Sequence, residues 1–477
     1  MNVPIYNALR GYLEERNILL HMPGHKGGTA FPQMEFRQIG ALDFTEIPGL
    51  DDLHLPAGIL LEAQHLAARA WGAEKSLFLV NGATSGIHSL LLAMGPQARV
   101  LLPRNAHRSI VEGLILSGGW PEFIDCEIDS DLQIALSVTP RKVAAKLDSC
   151  PEISGAFLVS PTYYGTVNEV RAIARLLAKR GIPLMVDEAH GAHLVFHPGY
   201  PPSALQEGAG ASVHGLHKTL PALTQTGLLH LAGNFSWEDK VQACHSLLTT
   251  TSPSYPLMAS IDIGRAIMER DGQALLERAR ELRVDCQLQI NKIKGLRVRD
   301  DEYLQVEGVA GYDPLKVLVE ITELDTTGVE LSYLLRRRYG IQVELAGEKY
   351  VLAMFSPFNQ PDDWTALASA LTEASRQFNH KLRPKKMVPD FPPIPPLAMT
   401  PRESFLSRRK TVMIKESEGL IAAEMAVGYP PGIPCLIPGE VITAEVIEYL
   451  EHARRSGISV HGLRDRELKT IQVVDKQ

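Results

Sequence analysis

The run Leu184-Met185-Val186-Asp187-Glu188-Ala189-His190-Gly191 closes an apolar stretch on an acid. An aspartate at the end of a buried strand needs a partner, because an unpaired carboxylate out of water is costly. A protonated pyridine nitrogen is such a partner. A metal ion or the first turn of a following helix would also serve. Lys218, in His217-Lys218-Thr219, stands 31 residues beyond Asp187 (218 − 187). Its neighbours Leu216, Leu220 and Pro221 make a plain exposed loop a poor account of it. A lysine so placed can reach an aldehyde. Asn81-Gly82-Ala83-Thr84-Ser85-Gly86 follows the apolar run Ser76–Val80. Its small residues let a phosphate approach the backbone, Thr84 and Ser85 offer hydroxyls, and the next helix offers free N–H groups. Taken alone it is equally a tight structural turn. Pro103-Arg104-Asn105-Ala106-His107-Arg108-Ser109 supplies an imidazole, His107, that can stack on a flat ring or simply satisfy its own loop. Ala189 is small enough to lie beneath such a ring. Acid, amine, phosphate cradle and stacking ring together answer the needs of one cofactor, pyridoxal phosphate.

These residues require a scaffold that ends several strands on one side. Candidate strands are Ser76–Val80, Val100–Leu102, Gly155–Val159, Pro183–Val186 and Leu228–Leu231. Candidate helices between them include Ser85–Met94, Arg108–Ser117 and Val167–Arg180. The alternation predicts an α/β domain with a mostly parallel sheet. Ligands of such sheets sit beyond the carboxyl ends of the strands, where the motifs fall. A helix-like stretch, Ile5–Arg16, and a turn-rich segment, His21–Gly28, precede this domain.

Beyond it, Pro256–Lys294 reads as one long helix interrupted near Asp271-Gly272. Strand-like Lys316–Ile321 and Lys349–Phe355 flank helix-like Gly328–Arg338, and a last helix covers about Asp362–Phe378. This predicts a smaller α+β unit. Arg383–Pro401 is rich in proline and reads as a semi-rigid linker or a belt laid on a surface. The expected organisation is therefore a cofactor-binding large domain with its N-terminal segment over 1–255, the long helix and small domain over 256–382, a linker over 383–401, and a terminal domain over 402–477 with a helix near Ala444–Arg455.

Composition narrows the function classes. The 477 residues allow two to four domains, and 45 % hydrophobic with 22 % charged residues is an ordinary soluble globular balance. That excludes a mainly disordered chain, a collagen-like chain and a coiled-coil rod. The 48 basic against 55 acidic residues give a net charge of -7, which argues against general nucleic-acid binding. The five cysteines, at 126, 150, 244, 286 and 435, form no C-x-x-C pair and no zinc spacing, so a reducing compartment and no metal site are expected. Neither a secretory leader nor an apolar run of ~18–20 residues is present, so the expectation is a cytoplasmic protein without a membrane partner.

In combination the order Gly82–Gly86, His107, Asp187-x-Ala189-His190 and His217-Lys218 resembles the fold-type I pyridoxal-phosphate enzymes, and more narrowly the ornithine/lysine/arginine decarboxylase family. Further stretches carry the same resemblance: His21-Met22-Pro23-Gly24-His25-Lys26, Glu46–Leu53, Ser160–Gly165, and Tyr429–Pro434 with Pro438-Gly439-Glu440. Length and starting point resemble the short members, without an N-terminal wing. The resemblance implies Lys218 as the Schiff-base lysine, Asp187 as pyridinium partner and His107 as stacking ring. It implies Ala83, Thr84 and Ser85 at the phosphate, with His190 and His217 close to the cofactor. It further implies a dimer or higher even oligomer, and Thr251-Ser252-Pro253-Ser254-Tyr255 is placed to reach a partner's phosphate. One departure stands out. The family has Ser-Thr before its His-Lys, where this chain has Gly215-Leu216. A phosphate-binding hydroxyl is missing, and Ser212 or His214 is a candidate substitute.

The reaction so implied is loss of the α-carboxylate from lysine, arginine or ornithine, giving a diamine or agmatine and CO₂. Lys218 or His217 would return the proton. Glu46, Asp51, Asp52, Glu418 and Glu440 are candidates for the substrate's distal cation. The competing readings are an aminotransferase or aldolase-like enzyme of the same fold type, and a cofactor-binding protein without turnover.

Overall fold

The computed structural model describes residues 1–378, 391–429, 432–456 and 459–475. Its principal elements begin, in chain order, with α1 (Pro4–Glu14), α2 (Ile59–Trp71), β1 (Lys75–Leu79), α3 (Gly82–Met94), β2 (Arg99–Pro103), α4 (Arg108–Ser117) and β3 (Trp120–Ile124). There follow β4 (Ile153–Val159), α5 (Val170–Ala178), β5 (Leu184–Asp187), β6 (Ala211–His214), β7 (Gly227–Leu231), α6 (Glu238–Leu248) and α7 (Tyr255–Ile290). The small α+β portion has β8 (Arg297–Arg299), β9 (Lys316–Glu320), α8 (Gly328–Tyr339), β10 (Leu345–Ala346), β11 (Tyr350–Met354) and α9 (Pro361–Ser375). The C-terminal segment has α10 (Pro401–Leu406), β12 (Arg409–Met413), β13 (Ala426–Tyr429), β14 (Ile433–Leu436), α11 (Ala444–Ser456), β15 (Ser459–His461) and β16 (Thr470–Val474).

Two compact units emerge: residues 1–93 with 185–277, and residues 94–184 with 278–477. In the first, β5 and β6 pair in parallel with Asp187 opposite Val213. β6 and β7 pair antiparallel with Val213 opposite Leu229, and β7 and β1 antiparallel with Leu229 opposite Leu77. Side chains alternate along a strand, so Asp187, Val213, Leu229 and Leu77 share one face. Ser212, His214, His230 and Ser76 share the other. Helix α3 covers the first face so closely that a Cβ on Gly86 would lie 2.8 Å from Leu79 Cδ1 and 3.0 Å from Val213 Cγ1. Helix α2 covers the second through buried Trp71, whose ring stacks on His230 at 5.3 Å between centroids.

In the second unit β2 pairs in parallel with β3 and β4. β3 and β6 add to the expected strands. Pro121 hides β3 in the sequence, and the strand tolerates a proline because β2 is its one neighbour among the described residues. β6 is masked by its alternating polar residues. The four-stranded antiparallel sheet β8–β9–β11–β10 centres on Leu318 opposite Leu352. The C-terminal segment packs Ile414, Ala426, Leu436, Val446, Leu450, Ile471 and Val473 into a core of its own. Each fully buried large aliphatic there contributes about 1.5–3 kcal/mol.

The result is an α/β fold with a mostly parallel sheet, a smaller α+β portion and a C-terminal segment. One expectation changes, and one of two alternatives for the proline-rich stretch is selected. Helix α7 runs unbroken through Asp271-Gly272. A Cβ on Gly272 would come 3.1 Å from Phe196 Cβ and from Met268 Cε, so the glycine admits a neighbour instead of breaking the helix. The described part of the proline-rich stretch is a belt, with Ala398 N–H on Gly439 O at 2.9 Å and Val441 N–H on Pro396 O at 2.8 Å. Residues 383–390 of that stretch lie outside the described residues. Among the described residues no helix is long and apolar enough to cross a membrane.

Candidate active site

Asp187 ends β5 on the face covered by α3 and is 5 % exposed. Its Oδ1 accepts the Ala189 N–H at 3.1 Å. The chain then turns, Gly191 N–H reaching Glu188 O at 2.8 Å, which leaves Ala189 and His190 buried. β6 ends beside it at His214, and Gly215 N–H donates to Ala189 O at 3.2 Å. A single 3-10 turn, Leu216–Lys218, follows and carries the lysine back. Lys218 Nζ comes to lie 3.1 Å from His190 Nε2. His217 Nδ1 donates to Thr226 O at 3.0 Å, so its exchangeable site is Nε2.

The loop after β1 enters α3 at Gly82, whose N–H donates to Gln225 O at 2.7 Å. N–H groups in the first turn of a helix have no carbonyl one turn back. Those of Ala83, Thr84 and Ser85 therefore mark an anion-seeking end. The Ser85 hydroxyl donates to Gly82 O at 2.9 Å, which leaves it an acceptor in need of a second donor. This end lies beside the end of β6: a Cβ on Gly227 would sit 2.7 Å from His214 O and 3.2 Å from Ala83 N.

The structure thus brings Asp187, Ala189, His190, His217 and Lys218 together in one unit with Ala83, Thr84 and Ser85. His107 belongs to the other unit. There it caps α4, its Nδ1 accepting from Ser109 N–H at 3.2 Å, with its ring exposed.

Several candidates for the distal cation are already engaged. Asp51 accepts four backbone N–H groups, from Asp52, Ala57, Gly58 and Leu60, at 2.8–3.1 Å. Burial works against its charge, but those four bonds hold its pKa below the usual value. Asp52 caps His54 N–H at 2.8 Å. Glu440 is buried against Arg104, with Nη1–Oε1 2.6 Å and Nη2–Oε2 2.9 Å, while Arg104 Nε donates to Pro434 O. Glu46 and Glu418 are exposed. Tyr255, which closes the 251–255 segment, donates to Leu50 O at 3.1 Å.

Neither proposed substitute for the missing hydroxyl takes its place. His214 uses both ring nitrogens, on Glu188 and on His230. The Ser212 hydroxyl is buried without a partner on the face opposite Asp187. At Gly215 φ is -97°, which any residue tolerates. A Cβ there would nevertheless lie 3.1 Å from Ala189 O and 3.3 Å from Lys218 Cδ and Cε. Sequence reasoning also missed a buried polar chain, Glu188–His214–His230–Ser76, beneath this site. Its signal is polar residues on alternate positions of otherwise apolar strands.

Solved structures share this fold, that of the fold-type I pyridoxal-phosphate enzymes. The constitutive lysine decarboxylase of Escherichia coli superposes with a TM-score of 0.84 at 23 % identity, over 99 % of this chain and 82 % of that one. Pyridoxamine-pyruvate aminotransferase of Mesorhizobium loti superposes with a TM-score of 0.53 at 18 % identity, over 67 % of this chain and 83 % of that one. Residues 3–362 match the family model for the major domain of the Orn/Lys/Arg decarboxylases, and residues 385–473 that for their C-terminal domain. Arginine decarboxylase of Bacillus subtilis (strain 168) is 36 % identical over 481 residues, covering 99 % of this chain and 98 % of the relative. A lysine decarboxylase of Pseudomonas aeruginosa is 25 % identical over 590 residues, covering 97 % and 78 %. The chain belongs to the Orn/Lys/Arg decarboxylase family, whose members are carboxy-lyases.

Proposed function

We propose that this protein removes the α-carboxylate of a basic amino acid with pyridoxal phosphate, and that arginine is the first substrate to test. The observation that carries the reading is the grouping of Lys218, His190 and the buried carboxylate Asp187 in one unit. The relatives at 35–36 % identity named arginine decarboxylase support arginine, and those named lysine decarboxylase keep lysine in the panel.

The residues present fit the cofactor. A buried carboxylate that receives one backbone N–H suits a protonated pyridine nitrogen, and the first-turn N–H groups of α3, which have no carbonyl one turn back, suit a phosphate. When bound, the cofactor supplies a sink for the electrons of the broken carbon–carboxylate bond. Asp187 holds a proton on the ring nitrogen. Ala189 would lie against the ring, His107 is the stacking residue that the family resemblance implies, and Ala83, Thr84 and Ser85 would hold the phosphate. Lys218 would be the amine that holds the cofactor's aldehyde, and His190 Nε2, 3.1 Å from Lys218 Nζ, would orient that amine. Lys218 or His217 Nε2 returns a proton to the α-carbon. Residues 1–255 form the cofactor-binding domain in this reading, and 402–477 the terminal domain. The active form is a homodimer or higher even oligomer, in which Glu46 or Glu418 meets the distal cation.

Incubation with carboxyl-labelled arginine, lysine and ornithine tests it. The expected result is labelled CO₂ together with agmatine or a diamine. Keto-acid formation would assign an aminotransferase, and the absence of both products a binding protein.

A further inference from the structure

We propose that the Glu188–His214 pair is a positioning device: it locks the loop carrying Lys218 to the turn carrying Asp187 and His190. The inference rests on the decarboxylase reading and deepens it. Glu188 directly follows Asp187, and His214 stands four residues before Lys218 (218 − 214). Both side chains are buried. Glu188 Oε2 lies 2.9 Å from His214 Nε2, and Oε1 accepts the Ala204 N–H at 2.8 Å. A carboxylate can only accept, so His214 Nε2 carries the hydrogen of its bond.

The other side of His214 is equally constrained. Its Nδ1 lies 3.2 Å from His230 Nε2, and His230 Nδ1 lies 2.6 Å from Ser76 Oγ. Burial, with the His214 ring alongside, holds the His230 pKa well below its ordinary value, so that ring has one donor and one acceptor. One arrangement uses each hydrogen once: Ser76 O–H to His230, His230 Nε2–H to His214, and His214 Nε2–H to Glu188. Trp71 covers the chain, stacked on His230 and tied by its Nε1 to Ala192 O at 3.0 Å.

Two backbone bonds cross the same junction, Glu188 N–H to Val213 O at 3.0 Å and Gly215 N–H to Ala189 O at 3.2 Å. The side-chain pair adds what backbone bonds lack. Separating a buried carboxylate from its donor strands a charge away from water, so the two loops resist moving apart. Their joint product is the 3.1 Å approach of Lys218 Nζ to His190 Nε2. Glu188 and His214 lie on the sheet face opposite Asp187, which makes them positioning residues.

The test uses the full chain reconstituted with pyridoxal phosphate. His214→Leu removes the donor, and His214→Gln returns an amide donor to Glu188. Glu188→Gln removes the charge at nearly constant shape, and it decides the matter if His214→Leu fails to fold. The readouts are the rate at which the visible cofactor band forms and the visible circular dichroism per bound cofactor, which reports how firmly the ring is oriented. His214→Leu and Glu188→Gln are expected to form the band at least tenfold more slowly and to keep less than half the dichroism. His214→Gln should recover most of both. Values within twofold of the unaltered chain in His214→Leu or Glu188→Gln overturn the proposal, as does a loss that His214→Gln leaves in place. If the unaltered chain forms no visible band and borohydride fixes no cofactor on Lys218, the cofactor reading itself falls, and this proposal with it.

Discussion

At the scale of single residues, the electrostatic burden falls on Asp187. Asp187→Asn keeps the shape and removes the charge that would hold a proton on the pyridine nitrogen. Losing several kcal/mol of transition-state stabilisation lowers turnover roughly a thousandfold. Single-turnover CO₂ release, measured beside cofactor content, checks this, and wild-type rates with cofactor bound would refute it. Gly215 gives a second prediction. A serine there gains one charge-assisted hydrogen bond to phosphate, about 1.5–3 kcal/mol, and its φ of -97° is permissive. The fixed Ala189 carbonyl, 3.1 Å from the new Cβ, offsets part of that gain. Gly215→Ser should therefore tighten cofactor binding by less than tenfold. Ser212→Ala should leave the dissociation constant within twofold, because Ser212 faces away from Asp187. A large loss on Ser212→Ala would show that its hydroxyl reaches the phosphate after all.

At the scale of elements, the Arg104–Glu440 pair joins the loop between β2 and α4 to the turn after β14. Glu440→Ala strands a buried guanidinium, and breaking such a pair costs about 3–5 kcal/mol. Urea unfolding should show that loss, whereas the double change Arg104→Met with Glu440→Leu should cost less. Equal losses would mean that packing, not the ion pair, holds this junction. Asp51 organises the 51–60 loop in a comparable way through four backbone N–H groups. Its folded pKa lies below its unfolded value of about 3.9. The stability it contributes is complete above that value and is lost as pH falls toward the folded pKa. Asp51→Asn should flatten the acid limb of the stability curve below about pH 4. An unchanged acid limb would remove Asp51 from that role.

At the scale of the whole molecule, residues 18–39 carry six exposed large apolar side chains. Ile18 and Leu20 are 86 % and 91 % exposed, and Met22, Met34, Phe36 and Ile39 are each more than half exposed. Burying them against a second copy is what the proposed even oligomer would do. Sedimentation should find a dimer or larger at micromolar concentration. Leu20→Glu with Phe36→Glu should weaken it at least tenfold. A monomeric unaltered chain would place these apolar side chains in some other role.

Local spacing alone made part of this protein legible. Period-two and period-3.6 patterns located the strands and helices around the site because burial imposes those periods on any chain. Asp187, Lys218 and the Gly82–Ser85 turn were readable because their chemistry depends on residue type and on strand ends. Resemblance supplied the assignment of their roles. The tertiary structure decided what depends on contacts between distant residues. It spent Glu440 on Arg104 across 336 positions and Asp51 on its own backbone, so neither remains for a substrate. It turned Ser212 and His214 to the far face of the sheet, because strand register sends alternate side chains to opposite sides. It also assembled Glu188, His214, His230 and Ser76 from four separate stretches. No local pattern predicts that chain, since a buried polar group is stable only once its partners have arrived.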